Sequence, residues 1–472
     1  MNPFPSMLIG SPAMPQGLYQ NGIGPTLDAM QELACINTVM TFSNNMVGRQ
    51  YRPGHAPTSD PATGTPVTDV FVRCDERHYA ATPLRQAKDP SHLYADRDIL
   101  DELEEAATPR GMQVYARILE PYIITGAIPG LEACAEHDLH GRSTQTVCFN
   151  HPDYMAFWDA VVADLVIGHP GLAGFKFGQE RGGPLMRTLG GGQATCFCTH
   201  CRTLARQRGI DAEAARAGFL ALQAHGEAHR QPSNGPDASR RPIEGYLVSL
   251  LRILIRHPAL LAWERFWTDS REDQRRRIHR TIKQIRPSVQ VGWHVDHGMS
   301  WDLMTRAAWD YADMVGHSDW LSIGLYFDCM GPRSFNHFRQ NYERLLLADA
   351  PPALAHALYF SFLGFDPATQ PGYAEQLEKQ CALSEDYVAS ETCRAVRAVR
   401  ATGAATQVHA RIGFDVPLCD IPISEEQVMR ATTSALEAGA DGLWIGREWD
   451  ELKPANAAAA GRAIRDWQQR QG

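Results

Sequence analysis

The chain has 472 residues, 44% of them hydrophobic, 21% charged and 9% aromatic, with a formal net charge of −9. That length suits one large α/β barrel with insertions, or two or three ordinary domains. The acidic balance argues against a nucleic-acid footprint, and eleven cysteines in a chain this long do not suggest a disulfide scaffold.

Residues 1–25 are rich in Gly and Pro and hold one short apolar piece at 7–9. Residues 26–33 read as a helix leading into a strand over 35–42. From 43 to 90 the chain is polar and turn-rich, with one extended run at 69–74. Residues 96–108 read as a helix, with Ile99, Leu100 and Leu103 on one side and Pro-Arg-Gly closing it. A strand over 112–119 runs into Glu120. An amphipathic helix starts at Pro152, with Tyr154, Phe157, Trp158, Val161, Leu165 and Val166 on helical spacing. The glycine-bounded apolar run at 172–177 reads as a strand buried on both faces, and it leads into Gln179, Glu180 and Arg181. A Gly-rich loop follows, then three cysteines.

Residues 202–287 read as a long, mostly helical insertion with a polar patch at 231–241. Strands resume at 289–295, 320–327, 407–414 and 442–446, and a helix over 455–470 closes the chain. Residues 359–365 (YFSFLGF) fit neither strand nor helix cleanly and read as an aromatic loop or short helix. The most apolar stretch, 246–255, is about half the length a bilayer needs and carries Arg252, so no membrane partner is expected. The first residues have neither a basic run nor an adequate apolar run, so the expected location is cytoplasmic.

Strand starts near 7, 35, 112, 172, 289, 320, 407 and 442 make eight, the number that closes a (β/α)₈ barrel. A second count promotes 69–74 and drops 7–9, and both put Glu180 on the fourth strand. The expected fold is α/β: a (β/α)₈ TIM barrel, one domain over 1–472, with the helical insertion 202–287 after the fourth strand. A doubly wound open sheet is the competitor, but no G-x-G-x-x-G follows a first strand.

In such a barrel the C-terminal strand ends carry the chemistry, which is where Glu180 falls. Two carboxyl groups facing one bond are the requirement of glycoside hydrolysis, one protonated and one ionised. Glu180 fits the first role, with Asp415 or Glu448 as its partner; a loop-capping carboxylate or a surface salt bridge is the plainer alternative for each. Arg117, Glu120, Gln179, Arg181, His294, Asp296, Tyr326, Asp328 and Arg447 lie at or beside strand ends, where they are expected around a sugar. Trp293, Trp301, Trp320, Trp444 and Trp449 lie near the same ends, as core or as stacking platforms.

Cys196, Cys198 and Cys201 can wrap one ion through a tight turn, the arrangement of a structural zinc site with every position filled. Cys148 and Cys134 are both available as a fourth ligand, and His200 can substitute for one. Iron–sulfur spacings are absent. Reduced thiols in a loop are the plainer reading.

Three pieces, CFNHPDY ahead of a helix, GLAGFKFGQE ending the next strand and CFCTHC beyond it, together resemble glycoside hydrolase family 42, the clan A β-galactosidases. The resemblance implies Glu180 as acid/base, a structural Zn2+ on Cys148, Cys196, Cys198 and Cys201, a carbohydrate substrate, and a homo-oligomer, often a trimer. Two positions depart from the family: its Asn before the acid/base is Gln179, and its seventh-strand nucleophile Glu is Asp415. The segment GADGLWIGREWDEL, with Glu448, resembles a stretch in uncharacterised barrel proteins allied to these hydrolases. The expected function is retaining glycoside hydrolysis of β-galactosidase type. A zinc-dependent transferase or lyase, and a barrel that only binds sugar, are the competing readings.

Overall fold

The structure is a computed structural model that describes residues 7–45, 69–86, 96–120, 124, 128–417, 419 and 421–471. Much of the polar segment expected over 43–90 lies outside the described residues. Eight strands stand side by side in chain order: β1 (Leu8–Ala13), β2 (Thr38–Asn45), β3 (Gln113–Leu119), β4 (Gly174–Gly178), β5 (Gln290–Val295), β6 (Trp320–Leu325), β7 (Gln407–Ile412) and β8 (Gly442–Ile445). All neighbours are parallel, and β8 pairs back onto β1, which closes the barrel and excludes the open sheet. Asp69–Val70 is only a two-residue antiparallel addition to β2, so the count that dropped the N-terminal strand does not hold.

The helices that pack outside are α1 (Ile23–Ala34), α2 (Ile99–Ala107), α3 (Pro152–Gly168), α4 (Pro258–Ile285), α5 (Glu385–Ala401), α6 (Glu425–Glu437) and α7 (Pro454–Gln471). Local chemistry sets their ends. Asp98 caps α2 by accepting from the Leu100 and Asp101 amides at 3.1 and 3.3 Å. The same helix stops through a 3₁₀ turn at Gly111, whose φ of 64° suits glycine. Although α4 was read as part of the insertion, it packs on α3 and is the crossover helix between β4 and β5. The insertion proper is Thr199–Gln207, Ala212–His229 and Tyr246–Arg256. The aromatic stretch at 359–365 begins within the helix Pro352–Phe362. No single helix among the described residues is long and apolar enough to cross a membrane.

Met40, Tyr115, Trp320 and Trp444 fill the barrel floor, with Tyr115 edge-on to both indoles at 6.0 Å. Glycine makes the room: a Cβ on Gly174 would lie 2.2 Å from the Tyr115 ring. Trp320 and Trp444 are therefore core, and Trp293 packs away from the mouth against Phe177 at 4.9 Å. Side chains alternate along a strand, so the inward positions one layer above the floor are Arg117, Lys176, His294, Ser322 and Arg411. The barrel is apolar below and polar above, and the polar layer supports the mouth.

Candidate active site at the barrel mouth

Four strand ends contribute to one polar group, in which Glu180 and Glu448 both act on Lys176 and on Tyr326. Glu180 follows β4, Asp296 and His297 follow β5, Tyr326 follows β6, and Glu448 follows β8. The Glu180 side chain is 29% exposed, with the buried His294 Nε2 at 3.6 Å from Oε1. Glu448 is nearly buried and pairs with Arg117 at 2.5 Å. Its other oxygen, Oε2, is buried without a hydrogen-bond partner. Beneath them Arg117 and Lys176 are register partners on β3 and β4, and Arg411 rises from β7, its guanidinium 5.3 Å from the Tyr326 ring centre.

Burial governs the electrostatics here. It pushes Lys176 well below its ordinary value, with repulsion from Arg411 and Arg117 adding to the shift and attraction by Glu448 and Glu180 offsetting part of it. Burial, then the charge of Lys176, pushes His294 far down as well, and burial brings His297 to about 4. Both imidazoles are therefore neutral at neutral pH. Burial also raises Asp296, despite the 2.7 Å hydrogen bond it accepts from the Gly298 amide. Glu180, His294 and His297 each offer a donor atom within 4.8 Å of the others, a set of metal-ligand type. The Lys176 and Arg411 cations act on both imidazoles and oppose a metal ion there.

Several residues expected around a sugar are engaged elsewhere. Glu120 and Arg181 are both fully buried and paired, Arg181 Nε donating to Glu120 Oε2 at 3.1 Å. Arg181 also donates to the Val147 carbonyl and stacks on Phe149 at 3.9 Å, while the Tyr154 hydroxyl donates to Glu120 at 2.8 Å. This pair joins β3 and the chain after β4 to α3 and to the hairpin strand Ser143–Val147; it does not line an open surface. Gln179 turns outward to α4, donating to Gln274 Oε1 and accepting from Arg275 Nε, each at 2.6 Å. Asp415 accepts from the Lys453 amide and from Asn456 Nδ2, each at 3.0 Å, and so fastens the loop after β7 to the start of α7. Asp328 accepts from the Cys329 and Val416 amides, and burial raises its carboxyl to about 6. Arg447 pairs with Glu451, which burial raises to about 7.

Lys176, His297 and Arg411 were not singled out from sequence. Each carries a signal: a lysine inside the apolar run GFKFG, a second histidine in HVDH, and an arginine at an inward position of β7.

The sulfurs of Cys148, Cys196, Cys198 and Cys201 lie within 4.8 Å of one another, and all four side chains are buried. Cys148 is 3.6 Å from Cys198 and 3.4 Å from Cys201. The Asn150 amide and the His137 backbone N–H point at Cys201 and Cys196, at 3.3 and 3.4 Å. Hydrogen bonds from Cys148, Cys196 and Cys201 hold the Cys198 thiol well below its ordinary value. Cys134 contacts His151 instead, at 3.3 Å, and stands outside this group, as does His200. Clefts elsewhere, such as one of about 670 Å³ beside Arg394, Arg397 and Glu437, lie between outer helices away from these carboxylates.

No family model matches the chain, and no curated protein sequence does. Solved structures do. A β-galactosidase from the Antarctic haloarchaeon Halorubrum lacusprofundi superposes with a TM-score of 0.51 at 17% identity, covering 97% of this chain and 58% of that one. A β-galactosidase from the psychrophilic Marinomonas ef1 superposes with a TM-score of 0.53 at 12% identity, covering 98% of this chain and 60% of that one. The likeness is one of fold, and this chain spans about three fifths of the length of either enzyme.

Proposed function

We propose that the chain is a glycoside hydrolase in which Glu180 is the general acid/base and Glu448 the nucleophile of a retaining mechanism. The observation that carries this reading is two carboxyl groups at the ends of β4 and β8 that act on the same Lys176 and Tyr326, one beside a neutral imidazole and the other held by a guanidinium with an oxygen left over. The acid protonates the glycosidic oxygen as the carboxylate attacks the anomeric carbon; Glu180 then takes the proton of the water that releases the sugar. Arg117 fixes Glu448 with Oε2 available for attack, which is the positioning such a step needs. Asp415, at the strand number the resemblance implies, ranks behind Glu448 because both its oxygens are taken by Lys453 and Asn456.

Carbohydrate is the substrate class this reading calls for, with β-galactosides the first to try from the likeness of fold. The four-cysteine group suits a structural Zn2+: tetrahedral zinc with ~2.3 Å bonds to sulfur sets the sulfurs about 3.8 Å apart. Four thiolates leave no open position, which favours clamping of the loop beside Glu180 over a catalytic role in a transferase or lyase. A cytoplasmic location accords with eleven cysteines that form no disulfide among the described residues. A homo-oligomer accords with the exposed Leu247, Val248, Leu251 and Ile255 on one helix.

The test is a fluoro-sugar with a dinitrophenolate leaving group, which traps a glycosyl-enzyme. A mass gain of one sugar mapped to Glu448 supports the proposal. A label on Asp415, or turnover with inverted anomeric configuration, overturns it.

A further inference from the structure

The polar layer under the mouth holds two buried basic side chains, Lys176 and Arg411, that form no ion pair among the described residues. Arg117, Lys176 and Arg411 come from β3, β4 and β7, and Lys176 and Arg411 are 2% and 1% exposed. Burying a cation without a counter-ion is expensive, and Arg117 and Lys176 stand opposite each other in register, which adds repulsion. Arg117 has Glu448. Lys176 makes no hydrogen bond and no ion pair among the described residues. Arg411 directs its hydrogen bonds to the carbonyls of Gly446 and Arg447 and has no carboxylate ion-pair partner among the described residues.

Glu180 and Asp296 are the remaining acids; Asp296 accepts from the Gly298 amide, and neither forms an ion pair with Lys176 or Arg411. Glu180 must also carry a proton when it serves as the acid, so it cannot then offset the layer. Packing does not require this charge, because an apolar side chain of similar length would fill the same interior. Buried charges are kept where they meet an opposite charge, and the carboxylate that acts on both Lys176 and Arg411, Glu448, is already paired with Arg117.

We propose that the sugar bound against Glu180 and Glu448 carries an oxyanion, a carboxylate, sulfate or phosphate substituent, held by Lys176 and Arg411. The proposal deepens the hydrolase reading and rests on it for the bound sugar. Arginine offers a planar fork of donors and lysine a compact charge, a combination suited to an oxyanion. The rings of Tyr326 and His297, 5.0 Å apart, supply an apolar wall for the sugar carbons.

The experiment is titration calorimetry and thermal shift on the whole chain, with sodium glucuronate, sodium galacturonate, glucose sulfate and glucose phosphate, each against neutral glucose or galactose. At least one anionic sugar is expected to bind about tenfold or more tighter than its neutral parent, and the anion that wins identifies the substituent. Lys176→Met removes that preference while neutral-sugar binding is kept, and Arg411→Gln serves if that variant does not fold. Equal binding of neutral and anionic sugars, no binding of any anionic sugar, or a preference that survives in the variant overturns the proposal. Turnover is not the readout, so the two readings fail separately. A chain that binds anionic sugars and cleaves no glycoside overturns the hydrolase reading alone, and one that cleaves neutral glycosides and ignores the anions overturns this one alone.

Discussion

Replacing Arg181 by Met separates a buried strut from a substrate contact. The guanidinium is fully buried, paired with Glu120, 3.7 Å from Glu136, and bonded to the Val147 carbonyl. Methionine fills most of the volume but leaves Glu120 with the Tyr154 hydroxyl and without its cation. Removing one partner of a buried ion pair costs about 3–5 kcal/mol, because the remaining charge is stranded. At roughly 2 °C per kcal/mol, Tm falls by about 6–10 °C. The double variant Arg181→Met with Glu120→Gln removes the stranded charge and recovers about 2 kcal/mol of that loss.

The loss depends on pH. Burial opposes ionisation of Glu136, but the charges of Arg187 and Arg181 outweigh it and hold its carboxyl below the usual value of 4.5. A depressed carboxyl contributes stability above its unfolded value, and that contribution is lost as pH falls through the folded one. The penalty of Arg181→Met therefore shrinks below about pH 4.5. Urea unfolding followed by circular dichroism measures both effects. A loss under about 1 kcal/mol, with kcat/KM down more than a hundredfold, would refute the reasoning and return Arg181 to the substrate.

Other expectations follow from the same contacts. On the proposal that the four cysteines hold zinc, a chelator or Cys198→Ser lowers Tm and releases one metal per chain by mass spectrometry, whereas Cys134→Ser retains it; unchanged Tm with lost turnover would favour a catalytic zinc. Asp415→Ala loses the helix-end contacts at α7, about 1–2 kcal/mol in a thermal melt, with kcat within about tenfold, whereas a nucleophile would be lost outright. Lys176 has a depressed value, so unfolding takes up a proton at any pH between its folded value and about 10.5. Stability rises with pH through that window, and Lys176→Met flattens the slope.

The barrel was legible because each strand is a short apolar run bounded by glycine or turn residues, and because eight such runs alternate with helices. Where reading failed, the physics was tertiary. Residues 69–74 and 7–9 look equally short, and only pairing with both β8 and β2 makes the second a barrel strand. Helix α4 was merged with its neighbours because nothing local marks which of several helices returns to the barrel. Among the residues read from sequence, Glu180, Tyr326 and Glu448 stand at the ends of β4, β6 and β8, and His294 stands near the end of β5, facing inward. Strand-end position could not separate them from Glu120, Arg181 and Gln179, whose partners Tyr154, Val147, Gln274 and Arg275 are distant in sequence. Lys176 was hidden by its apolar neighbours: Phe175 and Phe177 point the other way, so the strand has one polar inward position in an otherwise hydrophobic run. The fourth cysteine was open between 134 and 148 until the hairpin and α3 placed Cys148 against the loop thiols.

The most direct measurement of the account is the leaving-group dependence of Glu180→Gln. If Glu180 donates the proton, aryl glycosides with poor leaving groups lose about a hundredfold or more in kcat, while those with dinitrophenolate, which needs no proton, keep most of their rate in the glycosylation step. Equal turnover of poor leaving groups by the variant and the parent chain would contradict it.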